Sequence, residues 1–261
     1  MSLNPDLFLY NLTIRPSVTA VKCCIGNFTG NRRQQEVVRA TATTLELWKL
    51  NRINGDFYKV VAQNTFSHIR SIETLKSNGS DKDLLIITSD SGNLTVIEMN
   101  NEKGRFESVS NEPYFKTGLR RISPGEYVAV DGRSRAAMIG AIEKNKFVYK
   151  FTSDHRNRLQ VSSPLEANKS KVLTFGICGM DVGFENPQFA ALECDYSDFE
   201  EKFDKKMHKT LCYYELDIGL NHVMKKYSEE VSFSSNFLLP LPGGTQGPSG
   251  VLLCSEGIIQ Y

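Results

Sequence analysis

At 261 residues, 40% hydrophobic and 23% charged, the chain has the make-up of a folded globular protein, with material for one large core or two modest ones. A formal net charge of +1 leaves no global field for nucleic acid or a membrane surface, so any such contact must come from a local patch. No run approaches the roughly 20 apolar residues of a bilayer span. The start, MSLNPDLFLYNL, lacks the basic region and apolar core of a signal peptide, so an intracellular protein is expected.

The six cysteines, Cys23, Cys24, Cys178, Cys194, Cys212 and Cys254, form no C-x-x-C pair and have no closely spaced histidine. Buried, reduced thiols are the expectation. Sequons at Asn11, Asn27, Asn78, Asn93 and Asn168 count as accidents of composition in the absence of a secretory signal.

In chain order, Leu7–Thr13 reads as a lone strand ended by Pro16. Four strand-like runs follow at Val18–Ile25, Glu36–Thr41, Thr44–Leu50 and Phe57–Ala62. A second set of four comprises Phe66–Leu75, Leu84–Ser89, Asn93–Met99 and Arg105–Ser110. Within it, LLIITSDSGNLTVIEM is a hairpin with apolar residues on both faces, as expected of strands packed between neighbours. The cluster Ser89–Asn93 is read as its turn. A third set is placed at Gly118–Ser123, Tyr127–Asp131, Ala136–Ile142 and Lys146–Phe151. A fourth is placed at Val172–Val182, Gln188–Tyr196, Leu211–Asp217 and His222–Tyr227. A fifth opens with Phe233–Leu241 and Val251–Ser255, turns at Glu256-Gly257 and ends with Ile258–Tyr261.

Four units of four strands and part of a fifth, repeating about every fifty residues around a central hairpin, are the signature of a β-propeller. A sandwich also has evenly spaced short strands but gives no reason for a four-strand repeat. The W-D and G-H marks of the common repeat are missing and Trp48 is the only tryptophan, so the expected fold is all-β, a divergent WD40-like propeller of four-stranded antiparallel blades. About four and a half blades span residues 1–261. The expectation is an N-terminal piece of a larger ring, with Leu7–Thr13 completing a blade that lies further along. Two segments resist the strand pattern. Residues 198–209, DFEEKFDKKMHK, space Phe199, Phe203 and Met207 at helical intervals and are read as a charged hairpin insertion. Residues 219–230 show both a helical spacing and a place in the repeat; the strand is preferred.

Little points to catalysis. Pro242–Gly250, PGGTQGPSG, lacks the G-K-[ST] of a phosphate loop and leads into a strand, so it is read as an interstrand loop. Asp181 and Glu185 could be pictured as an acid–base pair, but no nucleophile or metal ligand lies near them in sequence, and a turn role is preferred. His68, His155, His208 and His222 are scattered without ligand spacing, and no G-x-S-x-G elbow occurs. No catalytic, cofactor or metal residue is assigned, and no enzyme is expected. Arg120-Arg121, Arg133/Arg135 and Arg156/Arg158 could gather into a patch for phosphate or an acidic protein; solvated rim charges are the preferred reading.

Several blocks carry a family resemblance: FLYNLT (8–13), GNFTG (26–30), SDSGNL (89–94), RRISPGEYVAVDGRSRAAMIGAIEKNKFVY (120–149), SSPLEA (162–167), DVGFENPQFAALECDY (181–196), YELDIGLNHVMKKYSE (214–229) and PGGTQGPSGVLLCSE (242–256). In this order they resemble the family of the large propeller subunit of splicing factor 3b in the U2 snRNP. That family also holds the damage-specific DNA-binding adaptor of cullin ubiquitin ligases and the large cleavage and polyadenylation factor subunit. The resemblance implies three seven-bladed propellers, of which this chain is most of the first. It also implies a non-catalytic nuclear scaffold beside a helical-repeat subunit, supporting branch-site recognition with RNA held indirectly and no membrane contact. A cullin adaptor is the alternative. The family's binding surfaces carry no short signature, so no contact residue is carried over.

Overall fold

A computed structural model describes residues 18–31, 33–77, 80–116, 119–155, 158–167, 171–181, 183, 185–197 and 208–261. The expected strand Leu7–Thr13 lies outside them, as does 198–207 of the expected insertion.

Among the described residues twenty strands form five antiparallel sheets, each a meander in chain order. Blade 1 is β1 (Lys22–Gly26), β2 (Glu36–Ala40), β3 (Thr44–Leu50) and β4 (Phe57–Asn64). Blade 2 is β5 (Ile69–Leu75), β6 (Leu84–Ser89), β7 (Asn93–Asn100) and β8 (Arg105–Pro113). Blade 3 is β9 (Tyr127–Val130), β10 (Ala136–Gly140) and β11 (Lys146–Ser153), with β12 (Leu159–Val161) and β13 (Leu165–Glu166) sharing its outer position. Blade 4 is β14 (Val172–Gly179), β15 (Gln188–Asp195), β16 (Lys209–Asp217) and β17 (His222–Val231). Blade 5 is β18 (Phe237–Pro240), β19 (Val251–Ser255) and β20 (Ile258–Gln260). The first strands β1, β5, β9, β14 and β18 touch one another in that order and form the inner wall of a propeller.

The core lies between blades, which explains why the middle strands are apolar on both faces. On β6, Leu85 and Ile87 pack toward blade 1 with Val38, Leu45 and Leu47, while Leu84 and Ile86 pack toward blade 3 with Val128, Ile139 and Tyr149. On β10, Ala137 and Ile139 face blade 2, whereas Ala136 and Met138 face blade 4. On β15, Phe189 and Ala191 face blade 3, whereas Ala190 and Leu192 face blade 5. Burying each large aliphatic side chain contributes about 1.5–3 kcal/mol, so every seam is stabilised independently. The turn of the β6–β7 hairpin is Ser89–Asn93 as read, with Gly92 at φ 77° and its amide on the Ser89 carbonyl. At Gly92 a side chain would also strike the Phe115 carbonyl, so only glycine fits.

Blade 3 requires a correction. Residues 119–123 are turn, not the unit's first strand, and Gly118 lies outside the described residues. The inner strand is Tyr127–Val130, and every later strand moves one place inward. The pair Tyr127–Val130 and Ala136–Gly140 is therefore the inner hairpin, not the central one. The reason is local: Pro124 has no amide to donate, and the Ile122 and Ser123 amides turn back onto the Leu119 carbonyl. Elsewhere the strand preferred over a helix at 219–230 is β17, paired with β16 from Lys209 to Asp217. Lys209 opens β16 and so does not belong to the insertion. Phe66 precedes β5 in a left-handed turn, fully in solvent.

Candidate functional site

In a meander, alternate turns fall at opposite ends of the blade. Turns joining first to second strands and third to fourth strands lie at one end, here the lower; the others lie at the upper end. At the lower end, the inner turns of successive blades are bonded to each other. The Asn27 amide donates to Asp83 Oδ2 at 2.7 Å, and the Asp83 amide returns a bond to the Asn27 carbonyl at 2.9 Å. The Lys76 amide donates to Ser134 Oγ at 2.9 Å. Arg135 clasps Asp131 with its Nε at 2.8 Å and also donates to the Glu185 carbonyl. The Gly243 amide donates to Asp181 Oδ2 at 2.9 Å, and Ser249 Oγ donates to the Asp181 carbonyl at 2.6 Å.

Asp181 and the glycine-rich loop therefore meet in one structural contact. Asp181 receives the glycine-rich loop 242–250, so its carboxylate orders a turn between blades 4 and 5. Glu185 contributes its backbone to the arginine of the next turn back. The histidines are distributed over both ends: His68 and His208 lie at the upper, His155 and His222 at the lower, all exposed. The arginines do not converge either. Arg120 and Arg121 precede β9 at the upper end, where they pair with Glu126 and Glu143; Arg133 and Arg135 follow β9 at the lower end. Arg158 lies at the lower end beyond β11, and Arg156 lies outside the described residues.

Cys24, Cys178, Cys194 and Cys212 are buried, and burial pushes the thiols of Cys24 and Cys178 up to about 12. A neutral thiol is neither a nucleophile nor a ready metal ligand, so both pack as small hydrophobes. Among the described residues no group of three or more His, Cys, Asp or Glu side chains is arranged to hold a metal. Among the described residues no helix is long and apolar enough to cross a membrane.

The most strongly built polar site lies inside the seam between blades 3 and 4. Lys146, first residue of β11, makes an ion pair with Glu193 of β15, and both side chains are 3% exposed. Tyr214 Oη donates to Glu193 Oε1 at 2.8 Å, the Lys146 ammonium stands 4.9 Å from the Tyr214 ring, and Lys225 adds its charge at 3.8 Å from Glu193. Burial pushes the Glu193 carboxyl up; the Lys146 charge and hydrogen bond, with Tyr214, outweigh it and hold the group below its ordinary value. Glu193 and Lys146 passed unremarked in the sequence. The available signal was a charge inside the apolar run QFAALECD, which demands a partner from the neighbouring sheet.

Stacked meanders with cores between the blades define a β-propeller. The comparisons agree with that class. The model of the RSE1/DDB1/CPSF1 first beta-propeller matches residues 19–261, and the chain belongs to this family. It is 46% identical to the pre-mRNA-splicing factor RSE1 of Debaryomyces hansenii, over 99% of this chain and 21% of that protein. It is 43% identical to the pre-mRNA-splicing factor prp12 of Schizosaccharomyces pombe, over 100% and 22%, and 43% identical to splicing factor 3B subunit 3 of Drosophila melanogaster, over 98% and 21%. The chain thus spans about a fifth of the length of the curated relatives it matches.

Proposed function

We propose that this chain is part of a non-catalytic scaffold of splicing factor 3B that supports branch-site recognition within the U2 snRNP during pre-mRNA splicing. The observation that carries it is identity of 43–46% to proteins named as splicing factors, sustained over essentially the whole chain. Supporting it, the Asp181 carboxylate, pictured as an acid–base group, is used to hold the loop of the next blade. The scaffold acts in the nucleus, beside the helical-repeat subunit, and reaches RNA through its partners.

The five described blades supply part of one ring. Ile25 and Phe57 on blade 1, and Phe237, Leu239 and Ile259 on blade 5, are exposed on sheet faces turned away from the described blades. Further blades covering both faces would bury these residues. Affinity purification of the intact tagged protein tests the assignment. Recovery of the splicing factor 3B helical-repeat subunit and U2 snRNA is expected; recovery of a cullin without snRNA would move the assignment to the ubiquitin-ligase branch.

A further inference from the structure

Blade 3 departs from its neighbours at the outer edge. Blades 1, 2 and 4 close with strands of 8, 9 and 10 residues, β4, β8 and β17. In blade 3 that position is divided between β12, of 3 residues, and β13, of 2. Between this broken edge and blade 2 lies a cleft of about 510 Å³, opening at the lower end.

Leu75, Leu84 and Phe151, each 8% exposed or less, close its floor; the accessible apolar surface comes from Leu159 and Val109, and serines and threonines make up much of the remaining lining. Val109 is the extra residue of the β7–β8 bulge and is 41% exposed, although it is a β-branched residue in a strand. Two cations border the cleft, Lys76 and Arg158. Their backbone amides are used, on Ser134 Oγ and Asp154 Oδ1, but neither side chain has a carboxylate partner among the described residues. The acid lining the cleft, Glu98, has Lys82 Nζ at 3.7 Å. Arg33, Arg52 and Arg133 at other turns also show no carboxylate partner among the described residues, so what distinguishes Lys76 and Arg158 is their place on either side of one cleft.

We propose that this cleft is a docking site for an extended protein segment carrying one large apolar side chain flanked by acidic residues. Leu159 and Val109 take the apolar side chain, and Lys76 and Arg158 take the carboxylates, giving both an anchor and an electrostatic register. Nucleic acid fits less well, because the one aromatic residue in the lining, Phe151, is 8% exposed and offers no face for base stacking. The site is independent of the splicing assignment.

The test is selection of random twelve-residue displayed peptides on the intact protein, followed by affinity measurement of a synthetic peptide from the enriched pool. Enrichment of acidic peptides with a large apolar residue is expected. Lys76→Glu with Arg158→Glu should weaken the selected peptide by about tenfold or more, and raised salt should weaken it further. Val109→Asp should do the same from the apolar side. Both variants alter exposed side chains, and unchanged circular dichroism and melting confirm the fold. The proposal is overturned by no enrichment, by enrichment of basic peptides, by binding unchanged in the charge-reversed protein, or by displacement with a single-stranded RNA oligomer.

Discussion

Removing the carboxylate of Glu193 should do more damage than any surface change in this chain. In Glu193→Ala the Lys146 ammonium stays 3% exposed with only the Tyr214 ring beside it, and Tyr214 Oη loses its acceptor. Leaving one member of a buried pair uncompensated costs about 3–5 kcal/mol. Hydrogen exchange of the intact protein reads this locally, and the amides of β10, β15 and β16 should exchange at least about a hundredfold faster. Replacing the whole network, with Lys146→Met, Glu193→Leu and Tyr214→Phe, removes the stranded groups and should return stability to within about 1 kcal/mol of the parent. The pH dependence has a definite sign. The folded carboxyl titrates below its ordinary value of 4.5, so the pair's contribution is complete above that value. It is lost as pH falls through the lower folded value. A Glu193→Ala protein within about 1 kcal/mol of the parent, or a triple variant as unstable as the single one, would refute the reasoning.

Three other outcomes follow from the seams. At Gly179 an alanine methyl would lie 1.9 Å from the Val130 carbonyl of the neighbouring inner strand, so Gly179→Ala should cost about 1–3 kcal/mol; an unchanged melting temperature would contradict this contact. Gln63 of blade 1 bonds the Phe106 backbone of blade 2 in both directions, at 3.1 and 2.8 Å, and Gln63→Ala should open the outer edge of that seam by about 1–2 kcal/mol in exchange measurements. Asp181→Ala should expose loop 242–250 to limited proteolysis while leaving β14 and β15 protected, a pattern that a merely global loss of stability would not produce.

Much of the propeller was legible because its physics is periodic. Strands flanked by sheets on both sides must be apolar on both faces, and runs such as LLIITS and FAALEC display that directly. The same logic failed at blade 3, where Gly118–Ser123 matched a strand in spacing but Pro124 removed an amide and the chain turned. That error shifted the register of one blade and concealed the broken outer edge at β12 and β13. The polar contacts were less legible. Asp181 and loop 242–250 were each conspicuous in the sequence, but 61 residues separate Asp181 from Pro242, and only the stacking of blades 4 and 5 shows that one holds the other. Arg120-Arg121 and Arg133/Arg135 looked adjacent because β9 is only 4 residues long, but that strand carries them to opposite ends of the blade. The Lys146–Glu193 pair joins two unremarkable charges across 47 positions, and a seam between sheets is required to see why each needs the other.

Whether the protein serves pre-mRNA splicing is decided most directly by depletion and add-back in a splicing-competent nuclear extract. Immunodepletion should halt assembly at the step where U2 snRNP joins the branch-site region, with unspliced substrate accumulating, and the purified intact protein together with its copurifying partners should restore it. Normal splicing in an extract cleared of the protein would contradict the scaffold account.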